Sequence, residues 1–299
     1  MLDNMQSGST TDSVTSTGEL KPEDTRNGSS PTPEKEEKAL SEPEEPIEGA
    51  KGLNRTGWRY LERFRSVGEL NDLSEAIKCF MSEVSLTTKS DPDAARWLTD
   101  PGIACTDRFR RLGEIGDLEE SIGHITHALV LTADGHPDMA RRHANLGASY
   151  IERFQRLGEL KELEKALENK CRALALTPNG HPDMTHRYAD LTVSYTNRYR
   201  RLGDLADLEN AIESASRALE LTPDGHPEMP LRHATLGACY GDRYRHLGEF
   251  SDFEKAIESN SRALALNPDN DPHISSRHAD LGVSYTDRYS VEAPVYEFR

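Results

Sequence analysis

Eleven histidines and four cysteines are the residues of this 299-residue chain that could hold a metal or supply a nucleophile. Three of the histidines recur in one context, as His136, His181 and His226, each followed by Pro and an acid. A zinc site would need its ligands to converge at about 2 Å from one point. His124 and His127 share a helical face at i, i+3 spacing, but the third and fourth ligands of such a site are missing from the pattern. Cys79, Cys105, Cys171 and Cys239 show no close-pair spacing and read as small, buried, reduced residues. No phosphate-binding glycine loop, nucleophile elbow, H-E-x-x-H or dinucleotide fingerprint occurs, so the expectation is a chain with no catalysis, cofactor or metal of its own.

The elements that position these residues are repeated. Gly68, Gly113, Gly158, Gly203 and Gly248 follow one another at 45-residue steps, and so do Asp91-Pro92, His136-Pro137, His181-Pro182, His226-Pro227 and Asp271-Pro272. A constant period of this length signals a solenoid or a propeller. Inside a unit the step is helical, since Tyr188, Leu191, Tyr195, Tyr199 and Leu202 are spaced by three or four. Each unit therefore reads as an antiparallel helix pair. The Gly after Arg-Leu suits a left-handed end of the first helix, and Ser251 to Glu254 has the S-x-x-E form of a capping box opening the second. Thr-Pro-Asn-Gly closes the second helix and His-Pro-Asp opens the next unit. Equivalent histidines then stand a helix-packing distance of about 8–10 Å apart, which favours a turn-building role over a metal.

Charge and hydropathy set further bounds. With a net charge of −16 and only 35% hydrophobic residues, the chain is unsuited to gathering nucleic acid, and no apolar run is long enough for a membrane span. Residues 1–50 hold 12 Asp or Glu against 4 Lys or Arg and contain no aromatic residue, so they are expected to form a disordered acidic tail. Within it Ser30, Thr32 and Ser41 stand in contexts suited to phosphorylation. The cysteine usage and the lack of an N-terminal apolar segment point to an intracellular, cytoplasmic protein.

In the third unit His143, Leu146, Gly147, Tyr150, Ala166, Ala173 and Pro178, and in the fifth His233, Leu236, Gly237, Tyr240, Ala256, Ala263 and Pro268, follow the W-x2-L-G-x2-Y…A…P order of tetratricopeptide repeats. The chain resembles a tetratricopeptide array of the long type, similar to kinesin-light-chain arrays and to tandem arrays of fungal proteins, some of which carry a caspase-like CHAT domain. The resemblance implies an all-α, right-handed α-solenoid of about five and a half 45-residue helix-turn-helix repeats over residues 51–289, followed by a non-repeat end at 290–299. The period exceeds the usual 34 residues, and the aromatic of A-x3-F, present as Ala76 and Phe80, is replaced by Lys170, Ala215 and Asn260. Pro101 takes the place of Leu146 in the second unit, where a kink is expected.

An acid-or-Asn, Arg, aromatic triplet recurs six times, ending at Phe64, Phe109, Phe154, Tyr199, Tyr244 and Tyr289. Such sameness argues for packing, with Arg paired to an acid of its own or the adjoining repeat. Columns that vary carry more information about partners. The resemblance implies that first helices line a groove, which places Arg141, His186, Leu231 and Ser276, then Asn145, Asp190, Thr235 and Asp280, then Glu152, Asn197, Asp242 and Asp287, towards a bound segment. The chaperone-tail carboxylate clamp of the family is not matched, because Ala144, Ala189, Ala234 and Ala279 hold its places. The expected function is a non-catalytic scaffold or adaptor for a protein or peptide segment with basic and apolar residues, with no nucleic acid or membrane partner. The alternative is the sensing portion of a larger fungal signalling protein with a caspase-like or nucleotide-dependent effector, because the pattern breaks after Tyr289 in mid-unit. An unpaired last helix would also offer a surface for self-association.

Overall fold

A computed structural model describes residues 49–88, 91, 93–267 and nine positions between 274 and 286. The expectations for the acidic tail up to residue 48, for Ser276, Asp280 and Asp287, and for the end at 290–299 lie outside the described residues. Ten helices follow in chain order: α1 Ala50–Val67, α2 Leu70–Leu86, α3 Ala94–Leu112, α4 Ile115–Val130, α5 Met139–Leu157, α6 Leu160–Leu176, α7 Met184–Leu202, α8 Leu205–Glu220, α9 Met229–Leu247 and α10 Phe250–Ala265. The described positions at 274–286 are helical as well. Odd and even helices pair within each repeat, and every even helix also packs on the odd helix that follows. The result is an α-solenoid whose buried apolar residues lie in the seams between helices.

The turns follow from local chemistry. Gly158 (φ 70°) and Gly203 (φ 73°) end α5 and α7 in the left-handed region, and their N–H groups donate to Phe154 and Tyr199 carbonyls. The recurrent histidines build the opposite turn. His136, His181 and His226 each accept, at Nδ1, the backbone N–H two residues on, at 3.1–3.2 Å, and Asp91 does the same for Asp93 at 2.8 Å. An imidazole thus serves where an Asx turn would otherwise open the helix. At the far end, Thr132, Thr177 and Thr222 return their hydroxyls to carbonyls four residues back.

The capping box expected at Ser251 does not form. Helix α10 opens at Phe250, its cap is Glu249 in extended conformation, and no side chain caps it. The acid three residues past the cap, which in a capping box reaches back to the cap N–H, is engaged elsewhere. Asp72, Asp117, Glu162, Asp207 and Asp252 hold this position and are buried. Each accepts the Nε–H of the triplet Arg nine residues earlier, Arg63, Arg108, Arg153, Arg198 or Arg243, at 2.6–2.9 Å. Four of these guanidiniums also lie over a Tyr ring, as Arg198 does over Tyr195 at 5.8 Å. The clamp therefore joins the two helices of one repeat.

The departures at the A-x3-F aromatic obey a volume rule. A Cβ on Gly57 would stand 2.6 Å from Phe80, on Gly102 2.7 Å from Ile125 and on Gly147 2.8 Å from Lys170, so each glycine makes room for a large partner on the even helix. Gly237 likewise faces Asn260. In the fourth repeat the first helix carries Thr192, fully buried, and the even helix answers with Ala215. Helix α3 runs through Pro101 as one element, with Gly102 against Ile125 in the next turn. Two of the four thiols are exposed or half-buried, Cys171 and Cys79, contrary to the expectation that all are buried. Cys105 and Cys239 are buried, and burial pushes them up to about 12 and about 11, which suppresses the thiolate.

Two measurements test these seams. Arg198→Ala, which strands a buried carboxylate, is expected to cost about 2–3 kcal/mol in urea titration of the full chain. Arg217→Ala, which removes an exposed pair with Glu220, should cost under about 0.5 kcal/mol, and equal losses would refute the clamp. Ala215→Phe opposite Thr192 is expected to cost about 2–3 kcal/mol by overpacking. Adding Thr192→Gly should return at least about 1 kcal/mol of it despite the helix cost of Gly, and no recovery would refute the volume rule.

Candidate functional site

The variable columns of the odd helices are placed as follows. At the first turn Arg141 is half-buried and 3.5 Å from Asp138, His186 is exposed with Nε2 3.8 Å from Glu228, and Leu231 is 48% exposed. One turn on, Asn145, Asp190 and Thr235 are half-buried, and the Asp190 carbonyl accepts from the Lys170 ammonium at 3.1 Å. Burial lowers the pKa of Lys170, a cation inside the α5–α6 seam. Thr235 returns its hydroxyl to the Leu231 carbonyl. Small residues lie beside them, with Ala148 half-buried and Val193 and Ala238 exposed.

The third column has a packing duty that the sequence pattern did not reveal. Glu152 accepts from Arg110 at 2.8 Å and Asp242 from Arg200 at 3.2 Å, each Arg belonging to the preceding repeat, and Asp107 accepts from Arg65 at 2.9 Å in the same way. Asp242 is buried and also pairs with Arg245. The junction between the third and fourth repeats carries Gln155 and Asn197 in these places, so that step is uncharged. The 42-residue offset between Arg and acid was the available signal; it becomes readable only once the 45-residue register is known to stack. Asp190 is the acid of the three described columns that no ion pair occupies among the described residues.

A buried polar group in the first two repeats was not anticipated. Glu83 stands where Ala128, Ala173, Ala218 and Ala263 stand in later copies and is wholly buried. Asn54 donates from Nδ2 to Glu83 at 3.0 Å and to Asp100 at 2.6 Å, while Trp58 donates from Nε1 to Asp100 at 3.1 Å. Burial raises both carboxyls, opposed by the Asn54 hydrogen bond; Asp100 and Asp91 push Glu83 the same way and Arg96 pulls it down, leaving Glu83 at about 7. The break from Ala in the column was the sequence signal, and it names no partner. Among the described residues no three His, Cys, Asp or Glu side chains form a metal-binding group, and no described helix is long and apolar enough to cross a membrane.

A raised carboxyl makes folding proton-linked. Between pH 4.5 and about 7 the folded chain keeps a proton on Glu83 that the unfolded chain releases, so stability falls as pH rises through that window and is level above it. Glu83→Gln is expected to flatten this slope and to stabilise the chain at pH 8 by up to about 3 kcal/mol. Thermal melts at pH 5 and pH 8 measure it; an unchanged difference between the two would remove Glu83 as the source.

No protein-family model matches the chain, and no curated protein matches it. Solved structures do. The fold superposes on the putative kinesin light chain of Podosopora anserina with nearly identical TPR-like repeats at a TM-score of 0.52 and 12% identity, over 72% of this chain and 98% of the other. It superposes on the APC/C hetero-tetramer Cut9-Hcn1 at 0.52 and 18% identity, over 80% of this chain and 37% of the other. At such identities the likeness is one of fold, and the chain is a tetratricopeptide-like repeat array.

Proposed function

We propose that this chain is a non-catalytic scaffold or adaptor that holds a segment of a partner protein along the face of its odd helices. One observation carries the reading: every described repeat keeps an Arg and an acid at its clamp positions, whereas the columns of the first two turns of the odd helices differ from copy to copy. Arg141, His186 and Leu231 share one position, and Asn145, Asp190 and Thr235 the next. Stacking demands uniformity and a sequence-specific partner demands variety. The small residues beside these columns admit the close approach of an extended or helical segment. Asp190, free of ion pairs among the described residues, suits a basic group on that segment, and Leu231 an apolar one. Glu152, Asn197 and Asp242 would act mainly through the junctions they build, and Ser276, Asp280 and Asp287 would continue the columns.

The test uses photo-crosslinking residues introduced in the full chain. A crosslinker at Leu231 is expected to capture a partner that one at Glu213, on the exposed side of α8, does not. Combining Asp190→Lys, Leu231→Glu and Thr235→Lys should abolish capture while leaving the far-ultraviolet circular dichroism unchanged. Equal capture from both positions would rule out the odd-helix face.

A further inference from the structure

A cleft of about 480 Å³ opens between the first turns of α5 and α7, and its wall is chiefly ionic: Arg96 of α3, Asp138 and Arg141 at the start of α5, and His181, Asp183 and Arg187 at the start of α7. Behind this wall Arg142 is buried, donating from Nε to Thr99 at 3.3 Å and from Nη2 to Asp138 at 3.3 Å. Arg187 pairs with Asp183 at 3.1 Å. Arg141 reaches Asp138 only at 3.5 Å, and Arg96 lies over the Trp97 ring at 5.4 Å with no ion pair among the described residues. The cleft wall itself holds three guanidiniums against two carboxylates, an excess of one positive charge, with the buried Arg142 behind it. Asp100 is a further acid for Arg96, Arg141 and Arg142: burial raises its pKa, and the Asn54 and Trp58 hydrogen bonds and the Arg141 and Arg96 charges oppose the rise.

Several features turn this excess outward. His181 accepts at Nδ1 from Asp183 N–H, so the neutral ring carries its proton on Nε2, as a donor from the cleft wall. Helices α5 and α7 both begin here, and each contributes the positive end of a 19-residue dipole. Three buried guanidinium atoms, Arg141 Nε, Arg142 Nη1 and Arg187 Nε, have no acceptor among the described residues. Asp138, Asp183 and Asp100 stand against four guanidiniums, which leaves the cluster one anion short. The column also has direction along the array: Lys51, Arg96 and Arg141 occupy one position in three successive repeats and give way to His186 and Leu231, so the charge is confined to its N-terminal half.

We propose that this cleft receives the phosphoryl group of a phosphorylated side chain on the partner segment. A phosphate monoester carries close to two negative charges at neutral pH and three acceptor oxygens, and pairs of those oxygens suit the forked donors of Arg96 and Arg141 in the wall. A single carboxylate offers fewer oxygens and less charge to the same donors. The net charge of −16 keeps nucleic acid away at long range, but contact chemistry is decided within the cleft. The proposal rests on reading the odd-helix face as the partner surface, and it adds one anionic group to a segment otherwise basic and apolar.

The full chain, immobilised, would be offered two degenerate peptide mixtures that differ only in a fixed central residue, phosphoserine or serine. The phosphoserine mixture is expected to be retained at least tenfold better, and a mixture with central glutamate to fall between them. Arg96→Gln combined with Arg141→Gln should erase the preference. Arg111→Gln combined with Arg156→Gln, exposed arginines at the other end of the odd helices and outside the ties between repeats, should leave it intact. Equal retention of the phosphoserine and serine mixtures, or an unchanged preference in the Arg96 and Arg141 variant, would overturn the assignment. Retention of inorganic phosphate with no peptide preference would overturn it too, as a simple anion site. If the preference is absent while the Leu231 crosslink persists, the anion site falls and the groove stands; loss of both removes the odd-helix face.

Discussion

The bond between an odd-helix arginine and the acid in the first turn of the following helix is the constraint on which this array depends. Among the described residues it occurs five times, from Arg63–Asp72 to Arg243–Asp252, always across nine residues. Nine residues span the last turn of one helix, a left-handed glycine and the first turn of the next, so the ion pair fixes the angle at which the hairpin closes. The acid is buried and sits at the positive end of its own helix, while the arginine stays part-exposed along a tyrosine. Such a pair loses little by burial and holds its geometry, which is what a structure copied five times requires.

Within that frame, each interface between repeats is free to vary provided its volumes add up. Gly57 with Phe80, Gly147 with Lys170 and Thr192 with Ala215 are three solutions to the same packing problem. Charge follows the same logic towards the C-terminal ends of the odd helices, where Arg110–Glu152 and Arg200–Asp242 link neighbours and Gln155 with Asn197 forgo the link. A solenoid tolerates this because each repeat meets only its neighbours. Among the described residues the third-to-fourth step has no ion pair at this edge, and the buried Lys170 of the third repeat donates instead to the Asp190 carbonyl of the fourth.

Function would then reside in what the packing does not use. The recurring Arg and acid columns bind the chain to itself; the variable columns at the odd-helix first turns lie outside those clamps. The cationic stretch from Lys51 to Arg141 and the change to His186 and Leu231 give the surface a polarity along its length, so that a bound segment would have a preferred direction.

The sequence by itself determined the repeat. A 45-residue period, helical spacing at Tyr188 to Leu202, and glycine and proline at the turns were enough for an all-α solenoid, because those signals are local and act through backbone geometry. They did not show where the acids go. Glu152 and Asp242 read as residues facing a bound segment, yet they face an arginine 42 positions earlier, a distance that stacking alone closes. Ser251 had the letters of a cap, but the helix opens one residue earlier at Phe250, and Asp252, three residues past the Glu249 cap, is held by Arg243. Glu83 and Asp100, 17 residues apart in sequence, share one amide of Asn54. Tertiary structure decided these pairings because an ion pair depends on distance in space, and only the packed array sets it.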